Sequence, residues 1–117
     1  MSQIDDIIAE KQAALKIIDA EISYCLRLNK EATSEEQAKI EAQCIQPLLN
    51  LQDEILLQEC ERISNSDEMA AALDQLKAAT HLMESVAQRM TTVTATLTKI
   101  SDFVEGGQKV ITALKKQ

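Results

Sequence analysis

Aromatic residues are nearly absent: Tyr24 and Phe103 are the only two in 117 residues, and there is no tryptophan. The cores of β-sandwiches and barrels lean on aromatic and β-branched side chains, so this core has to be built from Leu, Ile, Val, Met and Ala, the stock of helical bundles. Turn material is equally scarce. Two glycines, adjacent at 106–107, and one proline, Pro47, cannot supply the tight turns of a many-stranded fold. No Lys-Ser or Lys-Thr pair follows the glycines, which excludes a phosphate-cradling loop.

The chain is also short of the side chains that run reactions. Its one histidine, His81, stands three residues before Glu84. Di-iron bundles place Glu-x-x-His on two helices, whereas here the order is reversed and occurs once, on a face turned away from the apolar residues. The pair reads as solvated surface, and no metal or cofactor is assigned. Cys25, Cys44 and Cys60 form no C-x-x-C and have no histidine at zinc-finger spacing. They read as small buried hydrophobes. Cys25 and Cys44 lie at comparable heights on either side of residues 32–33 and can face each other, which leaves a redox role as a second reading. A Cys–His catalytic pair would need His81, which is on the wrong face. Adjacent acids such as Glu35-Glu36, Asp53-Glu54 and the nearby Glu59 and Glu61 diverge by about 100° around a helix and do not converge on one substrate. A non-enzymatic protein is expected.

Net charge is -7, so attraction to nucleic-acid phosphates or an anionic membrane face is unfavourable on average and basic partners are favoured. Residues 34–65 hold seven acids against two bases, while residues 106–117 hold three lysines and no acid. No basic patch with interleaved aromatics exists for nucleic acid. The longest uncharged stretch, 42–52, is far short of the roughly 20 apolar residues of a membrane span. Asp5, Asp6 and Glu10 occupy the place where a secretory leader would be basic and then apolar, and the cysteine count is odd; both point to a reducing, cytoplasmic setting.

What the chain does have is helical periodicity. Leu76, Ala79, Met83, Val86, Met90, Val93, Leu97, Ile100 and Val104 recur at alternating three- and four-residue spacing, the seam of a helix packed along its length. The expected fold is all-α: a single domain over 1–117, an antiparallel, coiled-coil-like three-helix bundle with a short helical tail. Helix 1 spans about 3–31, with Ile4, Ile8, Leu15, Ile18, Ile22 and Cys25 inward and Lys11 interrupting them. Lys11 can lay its stem along the core edge or pair with a carboxylate of another helix. Helix 2 spans about 34–64, opened by capping boxes at Thr33 and Ser34 and kinked at Pro47, with Ala38, Ala42, Ile45, Leu49, Leu56 and Ile63 inward. Leu51 and Leu57 fall off that line, so helix 2 is either central or carries a second contact face. Helix 3 spans about 67–105 and is stopped by Gly106-Gly107; Thr91–Thr98, rich in β-branched residues, is its weakest helical segment. The tail covers 108–116.

A third helix of about 58 Å against partners of about 45 Å overruns them and exposes Leu97, Ile100 and Val104. Those residues, with Val110, Ile111 and Leu114 of the tail, need cover from the tail or from another chain, which makes a homo-oligomer, a dimer first, the expectation. Glu35, Glu36, Asp53 and Glu54 share one side of helix 2 and suit a basic surface. The function expected is stoichiometric binding of a partner protein, in the manner of an inhibitor, chaperone or adaptor, through these two groups of residues. A structural coiled-coil component and a membrane-active helical protein are the alternatives.

Overall fold

Gln3–Glu31 forms α1, a single unbroken helix with Asp5 and Asp6 in its first turn and Lys30 in its last, each complementing the helix dipole. The computed structural model describes residues 3–59 and 66–115. Thr33 caps the next helix with the reciprocal bonds of a capping box: its hydroxyl accepts from the Glu36 amide at 3.2 Å, and its own amide donates to Glu36 Oε1 at 3.1 Å. From there α2 (Ser34–Ile40), a π turn (Glu41–Ile45) and α3 (Gln46–Leu57) run on as one rod. α4 spans Ser66–Ala87 and α5 spans Val93–Lys115. The described residues are therefore almost wholly helical, with four rods in a body measuring 50 × 23 × 19 Å.

The π turn is how the second rod absorbs Pro47, which lacks an amide and crowds the carbonyl four residues before it. Widening the helix just upstream lets the Gln46 amide bond to Glu41 O, five residues back, and leaves the proline in the first turn of α3, where its missing donor costs least. The wide turn brings two consecutive residues, Cys44 and Ile45, inside. Downstream, the buried residues are Leu48, Leu51 and Ile55, not the expected Leu49 and Leu56, and upstream Ile40 is buried while Ala38 and Ala42 are exposed. The rod ends at Leu57, with Gln58 already extended. The expected continuation to 64, with Ile63 and Cys60, lies outside the described residues.

The expected third helix is two helices. α4 stops at Ala87, the chain reverses through residues 88–92, and α5 runs back along it. The Arg89 and Met90 amides tighten the end of α4 by bonding three residues back, to Val86 O and Ala87 O. Thr92 caps α5, accepting from the Ala95 amide at 3.0 Å, and the buried Met90 side chain plugs the corner. Thr96, also buried, donates to Met90 O across the turn at 3.5 Å. The threonine run thus ends one helix and begins the next.

Gly106 and Gly107 do not stop a helix either; both are buried inside α5. They make close approach possible. A methyl group on Gly106 would come within 2.8 Å of Met83 Cγ on α4, and one on Gly107 would collide with the Leu51 side chain on α3. The expected separate tail, as far as residue 115, is the second half of α5.

α1 packs against α4 on one side and the second rod on the other, α5 packs against the same two neighbours, and α3 and α4 lie diagonally opposite and scarcely touch. The end of α4 meets Glu21 and Tyr24 of α1, so α1 and α4 run parallel. Ala78 and Ala79 meet Lys109 and Thr112, as the antiparallel hairpin of α4 and α5 requires. Ile7, Ala14, Ile18, Leu48, Leu76, Met83, Phe103 and Val110 form the middle of the core.

Candidate functional site

The residues expected to project from an overrun are inside the chain's own core. Ile100, Val110, Ile111 and Leu114 are buried, and Leu97 and Val104 pack half-buried against them. With the chain reversed at 88–92 there is no overrun, since the two halves of the expected helix cover each other. Of the acids, Glu35, Asp53 and Glu54 are exposed, while Glu36 is half-buried and held in the Thr33 capping box. The π turn sets the phase of α3 back by about one residue relative to α2, so the acids of the two segments no longer lie on one line.

Among the described residues the large apolar side chains left to solvent are Leu26 on α1 and a group of three on α3. Leu49 is 36 % exposed, Leu56 57 % and Leu57 77 %, with exposed Asp53 between the first two and Glu54 beside them. Leu49, Asp53 and Leu56 are spaced four and three residues apart and so form one line along the helix. Next to that line two shallow hollows between α1 and α3 share Gln12, Leu15 and Leu56; one extends to Lys16, Asp19 and Gln52, the other to Ile8, Lys11 and Gln58. Lys11 closes the end of the second, donating from Nζ to the Gln58 carbonyl at 2.6 Å. It caps the C-terminus of α3, where the helix dipole favours a cation. Leu51 and Leu57, both off the expected inward line, separate here: Leu51 is core and Leu57 is surface.

A second cluster is buried. Cys25 of α1 and Cys44 of the π turn are free thiols, both fully buried in one core cluster and near enough for each to act on the other. The neighbouring Cys44 pushes the Cys25 thiol well up, with burial adding to the effect, while Cys25 pulls the Cys44 thiol down against burial and the charge of Glu21. Glu21, one turn before Cys25, is 8 % exposed, and burial raises its carboxyl from 4.5 to about 7. Its Oε2 has no hydrogen-bond partner among the described residues. The facing of Cys25 and Cys44 follows the sequence expectation; Glu21 was missed. Its signal was its position, three residues after Ile18 and four before Cys25, on the inward side of the helix.

His81 and Glu84 are both exposed on α4. Among the described residues no group of three or more His, Cys, Asp or Glu side chains is placed to hold a metal ion, and no helix is long and apolar enough to cross a membrane. A hollow between α4 and α5, lined by Ala78, Ala79, Leu82, Lys109 and Thr112, has an apolar floor. No family model matches the chain, nor does any curated protein or solved structure, so the functional reading rests on geometry alone.

Proposed function

We propose that this chain is a stoichiometric protein-binding module whose docking face is the Leu49–Leu56–Leu57 side of α3, and whose partner offers a basic amphipathic helix. One observation carries the reading: three leucines stand in solvent on a helix that already has a complete inward face of Leu48, Leu51 and Ile55. Exposed leucines grouped on one face contribute apolar burial on association. The occupant follows from charge, since Asp53 and Glu54 flank the leucines on a chain of net charge -7, so basic residues beside an apolar line would meet acids beside an apolar line.

The site is thus the second contact face of helix 2, with Asp53 and Glu54 retained from the sequence reading and the α5 residues Leu97, Ile100, Val104, Val110, Ile111 and Leu114 serving as internal packing. A homodimer through the same leucines is the second reading, favoured by the self-complementarity of an apolar line. Parallel affinity capture with the wild-type chain and with a Leu56→Asp, Leu57→Asp variant tests both, combined with sedimentation of each protein alone. A basic protein retained by the wild type and lost by the variant supports the partner reading. A wild-type dimer that becomes monomeric in the variant supports the second reading. Identical capture and identical mass for the two proteins would overturn both.

A further inference from the structure

We propose that Cys25 and Cys44 form a reversible disulfide that ties α1 to the π turn when the folded chain meets a small hydroperoxide. Three placements carry this. The two sulfurs come from different rods, yet α1 and the π turn pack directly on each other and both thiols lie fully buried in the same core cluster, so joining them needs no movement of one rod past another. Cys44 sits in the π turn, the one interruption of the α-helical ladder in the second rod, where a local opening breaks the fewest regular bonds. Glu21, buried one turn from Cys25 with Oε2 unpartnered, also lines a hollow with Tyr24, Gln88, Met90 and Thr91 that is open to solvent. Its charge acts on both thiols, and its carboxyl connects the cluster to water.

The chemistry proceeds in two displacements. Cys44 is the sulfur that ionises, since its thiol is the one drawn down by the neighbouring thiol while that of Cys25 is pushed up. The Cys44 thiolate attacks one peroxide oxygen; the O–O bond breaks, an S–O bond forms, and the departing alkoxide takes up the proton released by Cys44 to leave as an alcohol, or as water when the oxidant is hydrogen peroxide. The Cys25 sulfur then attacks Cys44 of the sulfenic acid. The S–S bond forms, the S–O bond breaks, and the hydroxyl leaves as water with the Cys25 proton. Two thiols and one hydroperoxide give one disulfide, one alcohol and one water, the sulfurs losing the two electrons that the peroxide gains. Full burial of both thiols admits a small oxidant through local opening and excludes bulky ones.

The test uses the full chain carrying Cys60→Ser, so that two thiols remain, treated folded with hydrogen peroxide and read by intact mass, peptide mapping and thermal melting. Expected are a monomeric product lacking two hydrogens and a peptide linking Cys25 to Cys44. Closing a loop of about 20 residues should raise the melting midpoint by about 10 °C, reversed by dithiothreitol. The same map on the unaltered chain should show the Cys25–Cys44 link and not a bridge to Cys60. The proposal is overturned if both thiols remain open to alkylation after unfolding at a peroxide exposure that fully bridges the chain in urea. It is equally overturned if Cys60 is the partner found, or if the link lowers the melting midpoint.

Discussion

Glu21 is where burial and charge conflict most directly. Its carboxyl, one turn from Cys25, has one oxygen unpartnered among the described residues, and burial moves its titration from 4.5 to about 7. The unfolded chain gives up this proton near 4.5 and the folded chain keeps it until about 7. The stability contributed by protonated Glu21 is therefore complete below 4.5, declines by up to about 1.4 kcal/mol per pH unit through that window, and is lost above it. Glu21→Gln, which keeps the shape and removes the charge, should flatten this dependence. Between about pH 4.5 and about pH 8 the melting midpoint of the variant should fall less than that of the wild type, and parallel falls in the two proteins would contradict the assignment. At this scale the sequence was half legible. The cysteine pair could be read from its comparable heights on either side of residues 32–33, but a glutamate on an inward face looks like any helix glutamate until its neighbours are placed.

Among the elements, the contact of α5 with α3 and α4 depends on the two glycines. Gly costs about 1 kcal/mol of helix propensity relative to Ala, so a buried pair inside α5 has to be offset by the proximity it allows. Gly107→Ala should destabilise the chain by about 1–2 kcal/mol net, because the new methyl meets the whole branch of Leu51, which is buried in the core. Gly106→Ala should cost less, since its nearest neighbour is the unbranched, adaptable Met83. Chemical denaturation of the two variants checks the order; a Gly107→Ala chain more stable than wild type would refute the close-packing account. These elements show why part of the fold escaped the sequence. The end of α1 at Glu31 was legible because the capping residues at 33–34 mark the next start so clearly. The reversal at 88–92 was hidden because Met90 and Val93 fall on the same three-and-four spacing as their neighbours, so a corner with an apolar plug reads like one more turn of helix. A glycine pair reads as a stop by propensity alone, and only the position of Leu51 reveals it as a contact.

For the whole molecule, the helical class followed from composition and periodicity, while the pairing of rods did not, because one long helix and a hairpin of two have the same apolar pattern. The exposed leucines were obscured for a related reason: helix 2 is apolar on so much of its circumference that its inward phase is fixed by the neighbours, α1 and α5, and by the π turn. Net charge acts at this scale too. Reversing Asp53 and Glu54 to lysine should slow association with a basic partner at low salt several-fold and weaken the salt dependence of the on-rate, with little change in the melting midpoint, since both side chains are exposed. An unchanged on-rate at low salt would remove the steering role of these acids.

The parallel run of α1 and α4 sends α5 back to the pole where α1 begins, and Lys11 pins the end of α3 at that same pole. Leu56 and Leu57 therefore stand at the pole where α1 begins and α5 finishes, and the corners at 32–33 and 88–92 occupy the far pole. A bulky label placed on the first turn of α1 or the last turn of α5 would crowd the leucines, whereas an anchor placed in the 88–92 corner would leave them facing outward.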